Sequence, residues 1–309
     1  VNHSVIICTL ALLFYCGNGF SKTVTSINNG NWNSTSTWDC GCLPANSDNV
    51  VISSGHSVVL DTDVTLNDLT IALNGTFDAS PANYHATVKG NWVNHGNFIH
   101  RYGKVTLKGN NQQRIEGTAL TTFYELEVNQ PQKKGVVLNA PAHITRELTL
   151  TKGMVYTDPT NHITLKSKAN TNGGTSLSYI SGPVIIETDT IKEIVIGTGK
   201  NGVHKKTSIA INDTDPSVFM VEYFDEAHPN TNSVGNGIDH VCEAEYWDVA
   251  RLNGNAQASV KLFWNASACG PIKNAQALRV ARHNGNQWVD EGGMVAGNGA
   301  SGAIESHPL

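Results

Sequence analysis

The chain has 309 residues, with 21 Lys and Arg against 26 Asp and Glu, a formal charge of −5 and only 15% charged side chains. A charge density this low and this balanced excludes the basic footprint of a nucleic-acid binder and the acidic run of a solvating tail. With 29 Gly, 10 Pro and 33 Asn, turn formers are abundant, so short strands joined by tight turns are expected rather than coiled coils, helical bundles or parallel α/β enzymes.

Residues 5–15 form an apolar run too short for a bilayer, which needs about 20 residues, and of the right size for the hydrophobic region of an export signal. Small residues at Gly19 and Ser21 place the expected cut after Ser21, so residues 1–21 read as a signal peptide and the mature chain as free of a transmembrane span. Removal of that segment takes Cys8 and Cys16 with it and leaves Cys40, Cys42, Cys242 and Cys269. An even number of cysteines in an exported chain points to disulfides. The natural pairs are Cys242 with Cys269 and Cys40 with Cys42 across Gly41, although four cysteines allow three connectivities. A Cys-Gly-Cys zinc half-site is the competing reading, and it lacks a second Cys/His pair nearby.

From residue 50 to 190 a short apolar-polar-apolar strand recurs, as Leu69-Thr70-Ile71, Ala86-Thr87-Val88, Val105-Thr106-Leu107, Leu126-Glu127-Val128, Leu148-Thr149-Leu150 and Ile163-Thr164-Leu165. Their last residues are 17, 19, 21, 22 and 15 positions apart. Period-two alternation buries one face of each strand, so each needs a neighbour above and below. A right-handed parallel β-solenoid supplies both, and about seven coils at ~4.8 Å each give a rod roughly 35 Å long. An antiparallel sandwich is the alternative, with shorter and more even spacing expected. Solenoid ends need caps, and Trp32 and Trp38, just ahead of the first coil, are expected to pack there rather than to form a sugar platform.

The run Trp32…Ser36-Thr37-Trp38…Leu43-Pro44…Asp48-Asn49-Val50-Val51-Ile52…Gly55-His56-Ser57-Val58…Leu60-Asp61 resembles the opening of an extracellular β-helical module named for its eight glycines. The whole chain is similar to large secreted or cell-surface proteins of Bacteroidota-type bacteria, in which such an opening precedes strand repeats and then a β-sandwich. The resemblance implies an extracellular or surface location reached by type IX secretion. It also implies a chain continuing beyond Leu309, since the usual closing sorting domain is not evident.

Beyond residue 196 the strands lengthen, as at 206–211, 218–224, 245–249, 258–264 and 278–282. Asn284-Gly285 before Gln287-Trp288-Val289-Asp290 signals a hairpin with a type I′ turn. The reading is an all-β chain with a capped solenoid over 22–196 and an antiparallel β-sandwich over 197–309, parted by a linker at Gly197-Thr198-Gly199-Lys200-Asn201-Gly202. That stretch formally fits a dinucleotide fingerprint, but the strand alternation after it denies the helix such a site requires, so no nucleotide is expected.

No catalytic, cofactor or metal residues are assigned. Carboxylates are sparse between Val64 and Thr190, with only Glu125/Glu127 and Glu187/Asp189 two apart on a strand. His85, His95 and His100 form no ligand spacing. Structural Ca²⁺ is the one ion considered, at Asp61-Thr62-Asp63 and Asp213-Thr214-Asp215, where a simple turn competes. Tyr223, Trp247, Trp264 and Trp288 are candidate glycan-contact aromatics, with core packing as the alternative. The expected function is a non-catalytic, exported scaffold or adhesin-like protein whose partner is a glycan or another surface molecule; a polysaccharide-binding or polysaccharide-degrading β-helix protein is the alternative.

Overall fold

The computed structural model describes residues 21–131, 134–265 and 269–308. The expected signal segment therefore lies outside the described residues but for Ser21, and Cys8 and Cys16 lie there too. The described chain is all β, a parallel solenoid of about seven coils followed by antiparallel sheets. Among the described residues no helix is long and apolar enough to cross a membrane.

Each early coil contributes one strand to each of three faces. The first face stacks Thr23–Thr25, Asn49–Ile52, Leu69–Ile71, Trp92–Asn94 and their successors as far as Ile180–Ser181, all parallel. The second holds Gly30–Asn31, Ser57–Val59, Thr76–Asp78 and Asn97–Ile99. The third begins with Val64–Leu66, Ala86–Val88 and Lys104–Leu107. After Asn97–Ile99 the second and third faces fuse, because the next two coils cross both in single long strands, Thr121–Asn129 and Ala142–Lys152. A register shift between Phe123 and Glu125 marks the corner. The halves then separate again, Ala142–Ile144 pairing Ile163–Leu165 while Glu147–Leu150 pairs Asn170–Gly173.

Four of the six recurrent motifs stack directly: Ala86, Val105, Leu126 and Leu148 are successive register partners on one column. Leu69-Thr70-Ile71 belongs to the first face, and Ile163-Thr164-Leu165 to the column of Ala142–Ile144. Val64-Thr65-Leu66 opens the main column ahead of Ala86. The flanking apolar residues point inward and are buried, whereas Thr65, Thr87 and Glu127 face out, as alternation requires.

The core carries a chain of aromatic contacts along the stack. Ring centroids lie 5.1 Å apart for Trp38 and Trp32, 6.1 Å for Trp32 and Phe77, 6.4 Å for Phe77 and Trp92, and 5.1 Å for Trp92 and Phe123. Trp32 and Trp38 are buried at the opening end, where the Trp38 indole Nε1 donates to the Trp32 carbonyl at 2.8 Å; both pack as cap residues. Polar groups turned inward bond to the adjacent rung. Gln130 Nε2 donates to Gln113 Oε1 at 2.8 Å, and Asn94 Nδ2 and Trp92 Nε1 both donate to Thr121 Oγ1. At Gly117, φ is +130°, and a Cβ would sit 1.9 Å from the Asn94 carbonyl oxygen, so the turn between rungs requires glycine there.

The antiparallel part grows out of the last coil rather than following a linker. Lys192–Lys200 pairs parallel with Ile180–Ser181 through Thr198 and antiparallel with Val203–Ile211, which continues into Ala258–Asn265, Ser301–Glu305 and Met294–Gly297. On the opposite side Val184–Thr188 pairs antiparallel with Ser217–Phe224, and that strand with Tyr246–Asn253. One buried cluster runs from Val24 through the coils to Ile196, Ile209, Phe219 and Ala258. Gly197 to Lys200 are thus strand residues. Asn201 and Gly202, at φ +54° and +87°, close the hairpin between Lys200 and Val203 as the type I′ turn. At Asn284-Gly285 a hairpin does form, but His283 pairs Trp288 across a four-residue loop in which Gly285, and not Asn284, has positive φ. Asn284 Oδ1 instead accepts from the amides of Asn286 and Gln287.

Cys242 is bonded to Cys269, and Cys40 to Cys42. In the chain-entropy picture the first, with a sequence separation of 27, contributes about 3.5 kcal/mol. The second, with a separation of 2, contributes only about 1.5 kcal/mol.

Candidate functional site

Strand alternation sorts the four candidate aromatics. Along Ser217–Phe224, residues 217, 219, 221 and 223 point into the core, so Tyr223 is only 1% exposed. Its hydroxyl donates to Glu245 Oε2 at 2.8 Å, and the same carboxylate receives Lys205 Nζ at 2.8–2.9 Å. Burial, then the Glu245 hydrogen bond and charge, push the Tyr223 phenol far up, so it stays protonated. This buried triad joins the two terminal sheets, with Lys205 on one and Tyr223 on the other. Trp247 lies opposite Tyr223, with centroids 5.3 Å apart and a buried indole Nε1 without a hydrogen-bond partner. Trp264 is on the other sheet, donates to the Asn298 carbonyl at 3.0 Å and lies against Gly302. Trp288, on the second strand of the 281–290 hairpin, is buried and donates to the Asn230 carbonyl at 2.7 Å. The structure brings Tyr223 and Trp247 together, but the four do not form a strip.

The outward face of the same strand pair carries the cluster that sequence reasoning missed. Phe224 stands directly opposite Tyr246, their rings stacked at 4.6 Å and 1°, with Lys200 Nζ 4.5 Å from the Phe224 centroid. A cation over an aromatic face is attracted by the ring quadrupole. On the far side His228 meets Tyr246 edge-on at 5.1 Å, Trp288 at 4.9 Å and His283 at 5.0 Å. Two pairing steps along, on the same face, Glu222 stands opposite Asp248; such opposed residues have Cβ atoms about 4.5–5.5 Å apart. Partial desolvation raises Glu222, which Lys200 opposes and the Asp248 charge reinforces. Partial desolvation likewise raises Asp248, opposed by His228.

The result is a compact surface with two carboxylates, an ammonium, two imidazoles and aromatic edges, drawn from three strands, the connection after Phe224 and one hairpin. That mixture of donors, acceptors and apolar rims suits a polar, hydroxyl-rich ligand. An open cleft of ≈ 400 Å³ elsewhere at this end is lined by Arg279, Asp290, Gly292, Gly293 and His307. There Arg279 is committed: Nη1 donates to the carbonyls of Gln276 and Leu278, and Nε lies 3.7 Å from Asp290.

On the solenoid, the outward Glu127 accepts from Lys104 Nζ, Asn129 Nδ2 and Thr151 Oγ1, all at 3.1 Å. Burial opposes its ionisation, and those hydrogen bonds with the Lys104 charge outweigh it, so Glu127 sits below its ordinary value. Among the described residues, the one set of three acid, His or Cys side chains with ligand atoms mutually within 4.8 Å is Cys242, Glu245 and Cys269, and its sulfurs are joined to each other. In the Asp-x-Asp pairs three carboxylates accept from backbone amides: Asp61 from Asn33 N, Asp63 from His85 N, and Asp213 from Asp215 N and Gln257 N. His85 Nδ1 accepts from Lys104 N, and His95 and His100 bond to Thr118 and the Arg101 carbonyl, so the three serve separate turns.

The G8 domain family matches residues 37–143, which span the coils from the cap to the second long strand. It is an extracellular-type domain. No curated protein and no solved structure matches the chain significantly.

Proposed function

We propose that this protein is an exported, non-catalytic scaffold of the cell surface or extracellular space, adhesin-like in presenting its terminal sheets to a partner. The observation that carries the reading is the uninterrupted core from Val24 to Ala258, which couples coils and terminal sheets into one stiff body. The extracellular-type G8 match and the two disulfides support the location, since disulfides persist in oxidising compartments. In cells that make the protein, antibodies to the terminal sheets should label intact cells, or the protein should accumulate in the medium. Labelling only after lysis overturns the proposal.

A second reading, polysaccharide binding, is favoured by the outward cluster of Lys200, Glu222, Phe224, Tyr246 and Asp248. A glycan-array screen of the whole chain should then show signals that Tyr246→Ala removes without lowering the melting temperature of the solenoid. Signals unchanged by Tyr246→Ala and by Glu222→Gln would place any glycan contact elsewhere.

A further inference from the structure

We propose that the Cys40–Cys42 disulfide is a thiol-exchange site, at which an external thiolate forms a mixed disulfide with Cys40 while Lys22 stabilises the departing Cys42 thiolate. Four observations on the molecule converge on it. The bond closes a ring across a single residue, Gly41, at φ +58°, so it ties together no distant parts of the fold. Neither cysteine belongs to the buried core, which holds Trp38 just before the ring and Val50 beyond it. Cys40 is exposed and Cys42 half-buried, so an attacker reaches Cys40 Sγ first. Lys22 Nζ lies 3.0 Å from Cys42 Sγ.

A neighbouring ammonium lowers the pKa of a thiol, and a lower leaving-group pKa speeds its departure. The attacking thiolate R–S⁻ forms a bond to Cys40 Sγ as the Cys40–Cys42 bond breaks, and that electron pair moves to Cys42 Sγ. The attacker is oxidised to the disulfide level, and the Cys42 sulfur is reduced to thiolate beside the Lys22 ammonium. A second thiol on the attacker, or a second thiol molecule, then displaces Cys40 from the mixed disulfide and leaves the attacker oxidised and the Cys40/Cys42 pair reduced. The co-reactant is thus an accessible thiol, supplied either by a small thiol or by a cysteine of a partner protein.

Cys242–Cys269 is the internal control, since it spans 27 positions and closes beside the buried Glu245. The test equilibrates the whole chain in graded mixtures of reduced and oxidised glutathione, alkylates it, and reads each cysteine by mass spectrometry. Cys40 and Cys42 are expected to open in mixtures at least about tenfold less reducing than Cys242 and Cys269 require. In Cys42→Ser, glutathione should accumulate on Cys40, and a cysteine-containing peptide used instead should do so as well if the source is a protein thiol. Lys22→Gln should slow opening at neutral pH by about threefold or more, and Lys22→Arg should restore it. Opening of both disulfides in the same mixtures, or an opening rate indifferent to Lys22→Gln, overturns the proposal. Unchanged circular dichroism of each variant shows that the fold is retained.

Discussion

The solenoid and the terminal sheets solve the same problem, satisfying backbone groups above an apolar core, by different means. In the solenoid each strand meets its neighbours in parallel and in register, with identical positions stacked, and specificity resides in side-chain columns. In the terminal sheets the strands reverse, and cohesion depends on particular cross-links: the Lys205–Glu245–Tyr223 triad and Cys242–Cys269. The solenoid spreads its stability over many similar rungs, whereas the terminal sheets concentrate theirs in a few unlike contacts. The charges follow suit. Asp78 is opposed by burial but overcome by paired hydrogen bonds from Arg101 Nε and Nη2 at 3.0 and 2.9 Å, so it sits low. Glu222 and Asp248 sit high.

The largest expected loss tests the rung side of this contrast. Trp92→Ala removes a fully buried ring that touches Phe77, Phe98 and Phe123, and should cost about 3–5 kcal/mol in urea unfolding. A loss under about 1 kcal/mol would show that the aromatic chain is not what binds the coils.

On the other side, Lys205→Met leaves Glu245 buried without its cation and should cost about 3–5 kcal/mol, most of it regained in Lys205→Met/Glu245→Leu. A double variant no better than the single one would deny the terminal sheets their dependence on pairing. The disulfides sharpen the point. Paired serine substitution at Cys242 and Cys269 should lower stability by about 3.5 kcal/mol, and at Cys40 and Cys42 by about 1.5 kcal/mol. Equal losses would contradict the view that the longer bridge bears more on folding than the shorter one.

Acid and base should separate the regions. Asp78 and Glu127 lie below the ordinary carboxylate range, so between the folded and unfolded values the unfolded chain binds more protons. Their contribution is present above the ordinary carboxylate value and is lost as pH falls through the folded one. Glu222 and Asp248 lie above that range, so their native forms bind more protons and stability falls as pH rises through that higher window. Melting scans should therefore show Asp78→Asn flattening the acid limb and Glu222→Gln flattening the limb above it. The smallest effect is expected from Glu222→Gln at neutral pH, a stabilisation of up to about 0.5 kcal/mol. Destabilisation there would mean that the Lys200 attraction outweighs desolvation and the Asp248 charge together.

Much of the fold was legible in residues 86–150, because a half-buried strand between equivalent neighbours has only its own alternation to declare, and Ala86-Thr87-Val88 declares it. Val64-Thr65-Leu66 carries the same signal, but lies between Asp61-Thr62-Asp63 and Asn67, whose turn residues obscure it. The glycines of 197–202 read as a break, yet Gly197 approaches within 2.7 Å of Gly174 by the place its Cβ would take, so they mark close packing and not a linker. Composition cannot distinguish the two. The outward cluster was half legible: alternation that buries Tyr223 necessarily turns Glu222 and Phe224 out. Their partners Tyr246 and Asp248 follow only from a register set across the connection that carries His228 and Cys242, and no local pattern encodes that register.

The column of Val64, Ala86, Val105, Leu126 and Leu148 has a further consequence for descent. Because each member sees much the same surroundings above and below, duplicating or excising a stretch of roughly twenty residues would disturb only the seam where it joins. The separation between the capped opening and the terminal sheets is therefore a quantity set by counting rungs, and it could change by whole coils with the contacts at either end left as they are.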